Sequence, residues 1–184
     1  MICMKNDMFY SDHAIFFDTE FTDLDIRKGE LLSIGMVKMT GEELYLELAY
    51  DGTVHPWVKK HVLPSLTEKK YTKEDAREKL WAFMGRHKKE AEKPYLVAYV
   101  NQFDAVFWYD LFGSAKGHPA YWIPIDFASI LFAHGYDPNS LGKKAFFTSL
   151  GIDKSAFREH NALEDARLLK CAYEKFFENL TVEA

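Results

Sequence analysis

The chain has 184 residues, 48% hydrophobic, 16% aromatic and 28% charged, a balance that suits one domain with a substantial core and excludes a disordered or fibrous chain. The formal net charge of −5 advertises no affinity for nucleic acid, yet does not exclude it, because carboxylates gathered around cations can meet a polyanion through those cations. No uninterrupted apolar run approaches the roughly 20 residues that span a bilayer, and the opening MICMKNDMFYSDHA lacks the apolar stretch of a signal peptide. The expectation is a soluble cytoplasmic protein without a membrane partner, its Cys3 and Cys171 both free thiols.

The first strand signal is AIFFD, residues 14–18, a short apolar run ending in a carboxylate. After the polar loop TDLDIRKGE come LLSIGMVKM and ELYLELAY, which together with the first run predict an antiparallel meander. PWVKKHVLP predicts a short helix opened by Pro56 and ended by Pro64. TKEDAREKLWAFMGRHKKEAEK predicts a long amphipathic helix capped by Thr72. YLVAYV, 95–100, reads as a strand buried on both faces, DAVFWYDLF as a helix and YWIPI as a further strand. DFASILFAHG predicts a helix from Asp126 to Gly135, and SLGKKAFFTSLGI is expected to be helical as well. One domain spanning residues 1–184, its core about 14–179, would then be an α/β fold: a mixed central sheet flanked by helices.

HNALEDARLL, residues 160–169, carries a histidine five residues before an aspartate. Within one helix that spacing would part the two side chains by roughly 140°. Asn161 followed by Glu164 is a capping-box pattern, however, and it starts the helix after His160. A loop histidine and Asp165 near the first turn can then converge, while Leu163, Ala166, Leu169, Tyr173, Phe176 and Leu180 bury the opposite stripe. In FFDTEF, Asp18 and Glu20 are two apart and project to one side of a strand. Two such carboxylates repel unless a cation lies between them, although a solvated turn would explain the tripeptide equally well. An EF-hand fits poorly, with Asp23 at the sixth position and Gly29 at the twelfth, and Asp23 and Asp25 read as solvated acids. Asp104, following the buried strand, is by itself an ordinary helix cap, but residues past the carboxyl ends of central strands border the ligand crevice of α/β sheets.

An acidic pair after the first strand, an F-D after the fourth and H-x-x-x-x-D opening the last helix resemble the DEDDh 3′–5′ exonucleases of the ribonuclease H-like superfamily. The motif order matches over roughly residues 14–179. The stretches DTEF, LLSIG, WVKKHVLP, YVNQFDAVFW and HNALEDARLL resemble more closely the exoribonuclease group that includes the polyadenylate-preferring RNase AS. Where many members carry an asparagine four residues before the second-motif aspartate, this chain has Val100. The resemblance implies a ribonuclease H-like fold and two divalent cations, Mg²⁺ or Mn²⁺, held by Asp18, Glu20, Asp104 and Asp165. It implies His160 as general base. Thr19 and Phe21 are candidate substrate contacts; Phe21, directly after the acidic pair, reads either as a stacking platform for the terminal base or, no less readily, as core.

The expected activity is stepwise hydrolysis of single-stranded nucleic acid from the 3′ end to nucleoside 5′-monophosphates, RNA preferred and DNA allowed, by a homodimer. A DNA exonuclease or polymerase proofreading partner shares every catalytic residue, and a non-catalytic nucleic-acid-binding module is the rival of another class. Trp57, Trp81, Trp108 and Trp122 are expected mostly in the core. The pairs Lys59–Lys60, Lys69–Lys70, Lys88–Lys89 and Lys143–Lys144 are solvated faces unless they track a phosphate backbone, and the remaining histidines have no carboxylate pattern beside them.

Overall fold

A computed structural model describes residues 11–87 and 89–182, with main chain only for the last two; Cys3, Lys88 and the rest of residues 1–10 fall outside the described residues. The strands are β1 (Ala14–Phe21), β2 (Leu31–Lys38), β3 (Glu43–Leu48), β4 (Lys70–Tyr71), β5 (Tyr95–Ala98) and β6 (Ile125–Asp126). They join edge to edge in the order β4-β3-β2-β1-β5-β6. β1, β2 and β3 pair antiparallel, as their alternating sequences predict. β5 and β6 add parallel to β1, and β4 parallel to β3. The expected mixed sheet is present.

The helices are α1 (Pro56–His61), α2 (Lys73–Met84), α3 (Gln102–Phe112), α4 (Phe127–Ala133), α5 (Lys144–Ser149) and α6 (Ala162–Val182). They cover both faces. Ile15 and Phe17 of β1 pack with Leu80 of α2 and Trp108 of α3, while Ala14 and Phe16 pack with Leu131, Phe147, Leu169 and Phe176 on the other side. The period-two alternation of one central strand therefore feeds two cores.

Several boundaries differ from the sequence expectation. β1 continues three residues past Asp18, so the acidic pair lies inside a strand and not in the turn after it. α2 stops at Met84, because Gly85 takes φ of 87° where a helix cannot continue. The strand expected at YWIPI shrinks to Ile125–Asp126, leaving Trp122 and Ile123 exposed. β5 ends at Ala98, and Asp104 lies within the first turn of α3 instead of capping it. Pro64 sits inside a 3₁₀ turn, Leu63–Ser65, that prolongs the α1 segment. Thr72 and Asp126 cap α2 and α4 as expected, each through its side-chain oxygen.

Candidate metal and nucleic-acid site

β1 supplies the first two acids. Asp18 and Glu20 share the pleat face of Phe16, toward α6, whereas Thr19 and Phe21 turn to α3. The β1–β2 register slips after Glu20: Glu20 faces Ser33 but Phe21 faces Leu31, so Leu32 is the extra residue. A bulge re-aims side chains. Here it turns Leu32 away from the α2 and α3 side and into a small cluster with Val58 and Val62, which seats the α1 segment beside Glu20.

α6 supplies the third acid. Gly35 stands opposite Asp18 in the register, and a Cβ there would lie 2.2 Å from the main-chain carbonyl of Ala162. The missing side chain lets the first turn of α6 rest directly on β2, and Asp165 comes down beside the acidic pair. Asn161 caps the helix, its Oδ1 accepting the Glu164 amide at 3.2 Å. The return half of the expected capping box is absent, since the Glu164 carboxylate pairs with Arg167. His160 precedes the helix with φ of 60°.

Oxygens of Asp18, Glu20 and Asp165 all lie within 4.8 Å of one another. This group does not include Asp104, whose Oδ1 accepts both the amide (2.9 Å) and the hydroxyl (2.7 Å) of buried Thr19. Asp104 is nonetheless near enough to act on Asp18 and Glu20 by like charge. It is reached through a strained turn: Val100, a β-branched residue, has φ of 58°, a conformation that costs a bulky side chain on the order of 1–3 kcal/mol.

Burial, and then the charges of Asp104, Asp165 and Glu20, push Asp18 well above the usual carboxylate range. Burial, then Asp165 and Asp104, push Glu20 up to about 8. Burial lifts Asp104 to about 7 against the two Thr19 hydrogen bonds, and Asp165 to about 6 against the amides of Asn161 and His160. Lys154, the cation acting on Asp165, is itself held by Glu159 at 2.9 Å. Crowded carboxylates without a compensating side-chain cation form an all-oxygen donor set, which hard divalent ions prefer. The residues fit a metal ion.

Beside this group opens a cavity of about 300 Å³, lined by Glu20, Phe21, Asp23, Leu24, His55, Trp57, Val58, Val62 and His160. Trp57 stacks on His61 at 4.7 Å and meets the His160 ring edge-on at 4.9 Å. Phe21 forms part of the wall while stacking on Phe107 at 4.5 Å. The core assignment holds for Trp108, 1% exposed, but not for Trp57 and Trp122, which are 47% and 46% exposed. Leu24, His55, Trp57 and His61 carried no sequence signal for this site beyond the WVKKHVLP resemblance. Of the lysine pairs, Lys70 is tied to buried Glu47, Lys143 to Asp137 and Lys89 to Glu92, and Lys69 lies over the Tyr71 ring, whereas Lys59 and Lys60 of α1 and Lys144 are exposed.

No family model matches the chain, and no curated protein matches it. Among solved structures, the zinc-ion-bound form of the E. coli ExoI–ssDNA complex superposes with a TM-score of 0.63 at 14% sequence identity. The fold is ribonuclease H-like. The alignment covers 88% of this chain and 39% of ExoI, so the chain spans well under half the length of that neighbour. Among the described residues no helix is long and apolar enough to cross a membrane.

Proposed function

We propose that the protein is a metal-dependent 3′–5′ exonuclease acting on single-stranded nucleic acid, with RNA as the preferred substrate. The observation that carries this reading is the meeting of Asp18, Glu20 and Asp165 within 4.8 Å beside a cavity walled by an exposed tryptophan and a histidine. Divalent Mg²⁺ or Mn²⁺ at such a group neutralises the charge of a phosphodiester and polarises its oxygens. Asp18, Glu20 and Asp165 would hold the first ion, and Asp18 with Asp104 a second. Thr19 would then act by keeping Asp104 in place.

His160 takes the proton of the attacking water in this reading. Burial lowers its pKa, so the ring is neutral near pH 7 and able to accept. Leu24 and Trp57 offer apolar and aromatic faces on which a terminal base can stack. The likeness to ExoI supports the fold on which such sites are built, and the single-stranded DNA of that complex makes DNA the second reading. RNA preference rests on the resemblance to the RNase AS group, as does a homodimer.

The deciding experiment uses matched single-stranded RNA and DNA labelled at the 5′ end, with Mn²⁺, Mg²⁺ or EDTA. A descending ladder that needs the metal and is faster on RNA is expected. Equal or faster loss of DNA would promote the second reading. Cleavage of circular RNA, or full activity in EDTA, would defeat the exonuclease and metal assignments respectively.

A further inference from the structure

His160 holds a left-handed backbone, φ 60°, that L side chains adopt rarely. A strained conformation persists only where its surroundings over-determine it. Here the chain on one side of it is fixed by Asn161, which caps α6. Toward the opposite wall, the His160 carbonyl accepts the hydroxyl of Ser65 at 2.7 Å.

Ser65 closes the 3₁₀ turn after α1 and is 4% exposed. Its oxygen also lies 2.8 Å from the Val62 carbonyl, so one hydroxyl proton is shared between its own turn and a residue 95 positions away. A second tie runs beside it, from the Arg158 guanidinium to the Pro64 carbonyl at 3.3 Å. The same segment presents Trp57 to the His160 ring. One stretch, 56–65, thus touches both the main chain and the imidazole of His160, and it also contributes Trp57, Val58 and Val62 to the cavity.

We propose that Ser65 is a positioning residue for His160: its hydroxyl locks the left-handed main chain that places the imidazole in the cavity shared with Glu20, and thereby joins the substrate-binding wall to the proton acceptor. The proposal rests on the reading of His160 as that acceptor. Without the hydroxyl, the strained residue relaxes toward negative φ and the ring leaves its position. The carboxylates stay where they are, because they stand on β1 and α6.

The test compares the parent with Ser65→Ala, Ser65→Thr, His160→Ala and the Ser65→Ala/His160→Ala double variant, by steady-state kinetics on a 5′-labelled oligonucleotide and by calorimetric Mn²⁺ titration. Ser65→Ala should lower kcat by about tenfold or more, as misplaced catalytic groups do, with KM and Mn²⁺ affinity nearly unchanged. Ser65→Thr, which keeps the hydroxyl, should recover much of the loss. The double variant should be no slower than His160→Ala alone, because the two act as a unit.

A parental kcat for Ser65→Ala, a loss of Mn²⁺ binding equal to its loss of rate, or independent losses in the double variant would each overturn the clamp while leaving the acceptor reading intact. A parental rate for His160→Ala would overturn the acceptor reading itself, and the clamp with it.

Discussion

Glu20→Gln keeps the shape of the side chain and removes its charge, which isolates the crowding of the acidic group. In metal-free buffer, burial followed by the charges of Asp165 and Asp104 lifts the Glu20 carboxyl from an ordinary 4.5 to about 8. Between those values the folded state holds a proton that the unfolded chain has released. Stability therefore falls as pH rises through the window, and the cost is complete above it. At about 1.4 kcal/mol for each pH unit, the ceiling is about 5 kcal/mol in alkaline buffer.

Glu20 is partly exposed, and water entry and relaxation reduce that figure, so the expected gain is about 1–2 kcal/mol at pH 8.5. For a chain of this length that corresponds to about 3–6 °C in Tm. At pH 5 the gain should shrink to a few tenths of a kcal/mol, since the parent glutamate is protonated there. Saturating Mn²⁺ should reverse the order, because the parent gains binding free energy and the variant lacks a ligand. Differential scanning calorimetry at both pH values in EDTA, and at pH 8.5 with Mn²⁺, measures all three. A variant that melts below the parent at pH 8.5 in EDTA, or gains equally at both pH values, would refute the charge-crowding argument.

Asp18→Ala should abolish hydrolysis while the protein remains folded, seen by activity and circular dichroism together. His160→Ala should reduce turnover on the order of 10²–10⁴-fold with Mn²⁺ affinity nearly intact, whereas Asp165→Ala should weaken Mn²⁺ binding itself; calorimetric titration of both separates the roles. Gly35→Ala should destabilise by more than about 3 kcal/mol in denaturant melts, because its Cβ would stand 2.2 Å from the Ala162 carbonyl and lift the first turn of α6. Val100→Asn should stabilise the fold by about 1 kcal/mol, read from denaturant melts, since asparagine accepts the left-handed backbone that valine resists.

Local chemistry was enough to place the meander, the caps of α2 and α4 and the start of α6. Alternation of side chains and oxygen-bearing caps act over a few residues and leave a mark in the order of amino acids. The same locality showed that Asp18 and Glu20 share a face and that His160 precedes its helix. Locality misled at YWIPI, whose apolar residues have no strand partner beyond Ile125–Asp126, and at Trp57, an exposed wall of the cavity.

The rest depends on residues far apart in the chain. That Asp165 lands on Asp18 follows from a missing Cβ at Gly35, and that Asp104 stands apart from the three-carboxylate group goes with its bonds to Thr19. The His160 main chain answers to a hydroxyl 95 residues earlier. Raised pKa values on four carboxyls arise from burial, joined at Asp18 and Glu20 by the charges of the other acids, and both exist only once strand and helices have closed around them. Such contacts are set by packing distance, and packing distance has no period along the chain.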